Sequence, residues 1–263
     1  MLKKCFAMLV LTTIVLSVVA CSAEKAEPAD REVLYQVSTI NALLAGYYDG
    51  QISIKKLKEY GDTGIGTFAD LDGEMIVLDG IVYRAKYDGT VEKVGDAEST
   101  PFAAVTFFDE DRILENAAFT DLDSLKQILD TQILNPNLFY TFQITGEFTL
   151  IEVRSVPPQE KPYPPLTEVV KDQPTFTYTN VIGTLVGFWC PAYVAGINVS
   201  GYHLHFISED TATGGHLLNA SSLNTTIRID QTPSFQMTLP EDSAFGDLIL
   251  QEDKADDIEK VEK

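Results

Sequence analysis

Apolar and polar positions alternate with a period of two along much of this chain, so the pattern predicts more strand than helix. Glu74 to Leu78 and Ile81 to Ala85 flank Asp79-Gly80, a dipeptide that favours the tight turn of a hairpin. Further strands are predicted over Val105 to Phe108, Phe139 to Ile144, Phe148 to Val153, Val181 to Phe188, Tyr202 to Ile207 and Thr225 to Ile229. Helices are fewer. Ser38 can cap a helix from Thr39 to Ala45 that Gly46 stops, and Asp121 or Asp123 can open another through Leu129. Asp253 to Lys263 is charged and reads as a short terminal helix or a solvated tail. Five prolines between residues 156 and 165 remove five backbone donors, which places a boundary near residues 155–166. The prediction is an α+β chain, mostly β. Residues 34–155 form an N-terminal mixed α/β portion with a mixed sheet and a few helices, and residues 156–263 a β-rich, barrel-like C-terminal portion.

The first twenty residues follow a different pattern. Lys3 and Lys4 precede an apolar run from Phe6 to Ala20 that ends at Cys21, which reads as an export signal. The run is shorter than the twenty or so residues that span a bilayer. Val18-Val19-Ala20-Cys21 resembles the lipobox at which bacterial lipoproteins are cut and lipidated, with an uncut membrane helix as the rival reading. Residues 1–20 are therefore expected to be a lipoprotein-type signal peptide and residues 21–33 a tether. The mature chain is then extracytoplasmic, held to the bacterial membrane only by lipid on Cys21.

Composition adds exclusions. The 39 acidic residues against 19 Lys and Arg give a net charge of −20, a surface that repels phosphate backbones and excludes nucleic acid as a partner. Cys5 leaves with the leader and Cys21 carries lipid, so Cys190 stands alone and no internal disulfide forms. Its place between Trp189 and Pro191 suits a buried structural thiol. Asn198, Asn219 and Asn224 fit the glycosylation pattern but, behind a bacterial-looking leader, read as loop residues.

The three histidines of the chain fall at 203, 205 and 216. His203 and His205 are two apart on a predicted strand and share one face, while Tyr202, Leu204 and Phe206 point into apolar packing. Gly214-Gly215 permits a sharp return that brings His216 to the same point, closing a facial set of three nitrogens at a zinc distance of about 2.0–2.1 Å. Closed structural zinc sites use four ligands and lean on cysteine, so three imidazoles suggest an open, catalytic ion site between the two portions. Three histidines satisfied by ordinary hydrogen bonds is the bland alternative. A cupin-like metalloenzyme, with Glu209 as a further ligand, and an extracytoplasmic lipoprotein that captures a metal or chelate without turnover are the rival functions.

From about Leu34 to the C-terminus the sequence resembles the alpha-acetolactate decarboxylase family. The likeness rests on Tyr35-Gln-Val-Ser-Thr39, Gly64-Ile-Gly-Thr-Phe68, Leu71-Asp-Gly-Glu74, Thr106-Phe-Phe108, Asn137-Leu-Phe-Tyr140, Gln159-Glu-Lys-Pro-Tyr163, Gly183 to Phe188, Gly201-Tyr-His-Leu-His-Phe206 and Gly214-Gly-His216. The resemblance implies metal-dependent conversion of (S)-2-acetolactate to (R)-acetoin and carbon dioxide, with the metal chelating hydroxyl and keto oxygens and stabilising the enediolate. It implies a homodimer, Zn2+ or another divalent transition metal on His203, His205 and His216, and catalytic roles for Glu74, Arg154 and a tail glutamate. For that last position Glu262 is chosen over Glu259. Arg154 offers a planar fork for the substrate carboxylate, and Thr67 is a weaker candidate for orienting substrate.

Overall fold

A computed structural model describes residues 31–251 and 254–262; the expected signal peptide over residues 1–20, and the expected tether up to residue 30, lie outside the described residues. The first stretch runs β1 (Val33–Val37), α1 (Ile40–Leu44), β2 (Ile52–Ser53), α2 (Ile54–Leu57), β3 (Thr63–Thr67), β4 (Glu74–Leu78), β5 (Ile81–Ala85), β6 (Val91–Lys93), β7 (Ser99–Thr100) and β8 (Ala103–Thr106). There follow β9 (Arg112–Phe119), α3 (Leu122–Asp130), β10 (Phe139–Arg154), α4 (Leu166–Val169), β11 (Thr175–Tyr178), β12 (Val181–Cys190), β13 (Gly201–Ser208) and β14 (Gly214–Thr232). The last elements are β15 (Ser234–Thr238), α5 (Ser243–Gly246) and α6 (Ala255–Val261).

The class is α+β with strands dominant, as expected. One sheet has the order β15-β1-β8-β3-β4-β5-β6, the other β11-β10-β12-β13-β14-β9. The second sheet closes on itself. β10 pairs with β12 and with β14, and β13 joins β12 to β14, so four strands ring a small barrel. Alternation decides what each face does. Leu204 and Phe206 turn into the barrel interior with Phe142, Ile144 and Phe148. Ile207, on the opposite face of β13, packs with Val186 and Phe188 against Ile65, Ile76 and Tyr83 of the first sheet. Each of these fully buried aliphatic or aromatic side chains contributes roughly 1.5–3 kcal/mol by leaving water. A third apolar cluster, including Ile40, Leu71, Phe102, Leu166 and Val261, fills the end of the molecule where α1, α4 and α6 meet.

Several local expectations change. Phe139 to Ile144 and Phe148 to Val153 are one strand. Gly146, between the two predicted stretches, lets β14 approach closely, since a Cβ there would lie 2.6 Å from the Asn224 carbonyl oxygen. Strand β14 starts eleven residues before Thr225, and its first half was hidden by Asn219, Ser221, Ser222 and Asn224. Asn219 and Asn224 are thus strand residues, and Asn198 is buried. Helix α1 is capped by Thr39, whose hydroxyl accepts from the Ala42 N–H; Ser38 adopts φ 60° and stands outside. Asp121 caps α3 in a reciprocal pair with Ser124. The proline-rich segment does not part the sheets. Strands β9 and β10 precede it yet belong to the second sheet, and β15 follows it yet pairs in parallel with β1. Local pattern carries no information on such distant pairings.

Candidate active site

The site forms where the core between the sheets meets the helical cluster. On β3, Ile65 faces the barrel, so Thr67 does too; on β4, Ile76 faces it, so Glu74 does too. Thr67 and Glu74 are direct partners across β3 and β4. On the barrel, His205 is opposite His216, and His216 is opposite Arg154, so strand register sets three functional side chains in one row. His203 lies two residues along β13 on the same face. Gly214 and Gly215 open β14, and the reversal is made by residues 209–213 instead. Gly215 serves close approach: its φ is 151°, and a Cβ there would meet the Arg154 carbonyl oxygen at 2.5 Å.

The three imidazoles present one nitrogen each within 4.8 Å of one another. Ring centroids are 5.0–5.3 Å apart. His205 Nδ1 lies 2.9 Å from the Met75 carbonyl oxygen and so donates to it, leaving Nε2 with its lone pair. That Nε2 is 3.2 Å from Nε2 of His203. Two ligands of one ion at about 2.0–2.1 Å, roughly at right angles or wider, stand about 3 Å or a little more apart, so the spacing fits a shared ion. Burial keeps all three rings neutral. It pushes His203 down to about 3 and His205 and His216 well below the ordinary value, with Arg154 adding to the effect. Neutral, converging and buried nitrogens suit a divalent transition metal.

Two carboxylates flank this centre. Glu74 Oε2 lies 3.7 Å from His205 Nε2, and Glu262 Oε2 lies 3.9 Å from His203 Nε2 and 3.8 Å from His216 Nε2. Burial pushes both up to about 7; the Arg154 charge opposes this at each, and Glu262 adds to it at Glu74. Arg154 Nη1 donates to Glu74 Oε1 at 2.8 Å, and Nη2 donates to the Val261 carbonyl, tying the tail to the site. The guanidinium therefore spends two of its nitrogens on protein partners and does not present an unengaged fork. Thr67 lines the same cavity, with its hydroxyl donating to the Gly73 carbonyl at 2.8 Å.

The tail is thus part of the site and not a solvated end. Helix α6 buries Val261, which sets Glu262 at its C-terminus over the histidines, whereas Glu259 faces the outer groove. Glu209, the carboxylate that a cupin-like site requires, is exposed beyond β13 and outside the cluster. Cys190 is buried, with its thiol pushed up to about 12 by desolvation, in keeping with a structural role. The apolar walls of the cavity are Ile40, Leu43, Leu71, Phe102, Val156 and Leu166. Nothing in the sequence singled them out, because a leucine beside a site has the same local signature as a leucine in any core.

Comparison with known proteins agrees with this geometry. Residues 34–252 match the model of a family described as alpha-acetolactate decarboxylase. The chain is 46% identical over 232 residues to an alpha-acetolactate decarboxylase of Methanosarcina mazei, covering 88% of this chain and 81% of that one. A relative of the same description from Brevibacillus brevis is 42% identical, with 86% and 80% covered. The crystal structure of alpha-acetolactate decarboxylase from Bacillus subtilis superposes with a TM-score of 0.85 at 42% identity, over 88% of this chain and 99% of that one.

Proposed function

The chain belongs to the alpha-acetolactate decarboxylase family, and from that premise we propose that it turns (S)-2-acetolactate into (R)-acetoin and carbon dioxide with a divalent metal, zinc first, on His203, His205 and His216. The observation that carries the metal is the convergence of three neutral imidazole nitrogens beside two carboxylates and one arginine. His203, His205 and His216 would hold the ion, which would supply Lewis acidity toward oxygens on which negative charge develops. The overall change consumes one proton per turnover, since a carboxylate is lost and a carbon–hydrogen bond is made. Glu74 and Glu262, pushed up to about 7, can give and take a proton near neutral pH, where ordinary carboxyls stay ionised. They approach the centre from different elements, the first from β4 and the second from the end of α6. Delivery from one side alone yields one hand of the product. Arg154 positions both by holding the Glu74 carboxylate and the Val261 carbonyl.

The test is direct. Purified mature protein is incubated with racemic acetolactate, with and without a chelator, and acetoin is followed; release that stops with chelator and returns with zinc is expected. Absence of release after zinc is restored defeats the reading. His205→Ala is expected to lose bound zinc and activity together. Secretion and anchoring belong to the same proposal: palmitate label on the wild type, absent from Cys21→Ser, is expected. A homodimer is the proposed assembly, to be weighed by light scattering.

A further inference from the structure

Glu262 is a partition. It lines the 40 Å³ cavity with His203 and His216, a 20 Å³ void shared with His216, Tyr202 and Lys126, and a groove of about 920 Å³ that opens along α6. Lys126 lines both the void and the groove, half-buried on α3. Its neighbours Leu125 and Leu129 are fully buried in the barrel core, so the helix cannot swing the lysine away. Asp121 and its cap fix the start of the same helix.

Electrostatics gives Lys126 a role, on the decarboxylase reading above. The substrate is an anion approaching a protein of net charge −20, whose acidic excess repels it. Arg154 already donates to Glu74 and Val261. A cation clamped on the substrate carboxylate would also favour the state before carbon dioxide leaves, and interactions shared equally by ground and transition states do not raise kcat. A lysine one layer out from the ion avoids that cost while offsetting the repulsion. We propose that Lys126 is a positioning residue that draws the anionic substrate down the groove, past Glu262, to the metal cavity.

The test uses zinc-loaded full-length chain and compares wild type, Lys126→Ala, Lys126→Arg and Lys126→Glu from low to high ionic strength. At low salt Lys126→Ala is expected to raise KM about tenfold with little change in kcat, Lys126→Glu to raise it further, and Lys126→Arg to stay near wild type. The gap is expected to close as salt rises, since screening shortens the reach of the charge. Inhibition by acetoin, which is neutral, should be the same in wild type and Lys126→Ala, a result that a merely structural lesion would not give. Equal KM in wild type and Lys126→Ala at low salt overturns the proposal, as does a loss confined to kcat and indifferent to salt. If Lys126→Ala fails to fold, Lys126→Met and Lys126→Glu carry the same comparison. An inactive zinc-loaded wild type defeats the decarboxylase reading itself, whereas an active wild type with an unaltered Lys126→Ala defeats only the role of the lysine.

Discussion

Gly215 precedes His216 at the start of β14, where a Cβ would press on the Arg154 carbonyl at 2.5 Å. Gly215→Ala is therefore expected to force β14 from β10, lowering stability by roughly 2–3 kcal/mol and weakening zinc binding, as read by thermal melting and a zinc titration. Asp230 is a second residue under tension. It is 1% exposed, and burial, with Glu32, Asp111 and Asp109 nearby, pushes its carboxyl from 3.8 up to about 7, although the Asp109 N–H donates to it. A folded pKa above the unfolded one favours the protonated native state. Its stabilising effect is complete below pH about 4 and is lost as pH rises to about 7. Asp230→Asn should remove that slope, gaining about 2 kcal/mol at pH 8 and almost nothing near pH 4 in denaturant titrations. The histidines were legible in the sequence because they are rare and spaced for one strand face. Glu74 and Arg154 were not legible from their surroundings, since a glutamate after Asp-Gly and an arginine at a strand end have the same local pattern on any surface; only the family resemblance singled them out.

Among the elements, α6 is the most exposed to a decisive experiment. It places Val261 in the apolar cluster with Ile258 packed beside it, gives its last carbonyl to Arg154 and ends on Glu262. Removing residues 255–263 should cut acetoin formation by more than about a hundredfold while zinc stoichiometry holds, because all three imidazoles come from β13 and β14. Loss of zinc along with activity would show instead that the tail builds the ion site. The hairpin of β4 and β5 and the helix α3 were readable because Asp79-Gly80 and Asp121 are strong local signals. The front half of β14 was not, since one strand carrying asparagine and serine at its middle looks like a loop until its partners are known. The tail was readable only through the family resemblance, its own charge pattern pointing to solvent.

At the scale of the whole molecule, the site was expected between an N-terminal and a C-terminal portion divided near residues 155–166, but the sheets do not divide there. Strand β15 reaches back to β1, and β9 and β10 cross to the second sheet, so the first sheet is assembled from both ends of the described chain. Any ion that binds only the folded state stabilises it, and zinc at about a thousand times its Kd adds about 4 kcal/mol, a rise on the order of 10 °C in melting temperature. Calorimetry of chelator-treated and zinc-loaded samples should show this difference with both forms folded. No such shift would mean that the histidines hold no ion in solution. The row from Arg154 to His216 to His205 is spaced by backbone hydrogen bonds of adjacent strands. The three side chains consequently share the rigidity of the barrel wall, and none can shift along its strand without breaking the ladder that also holds its neighbours.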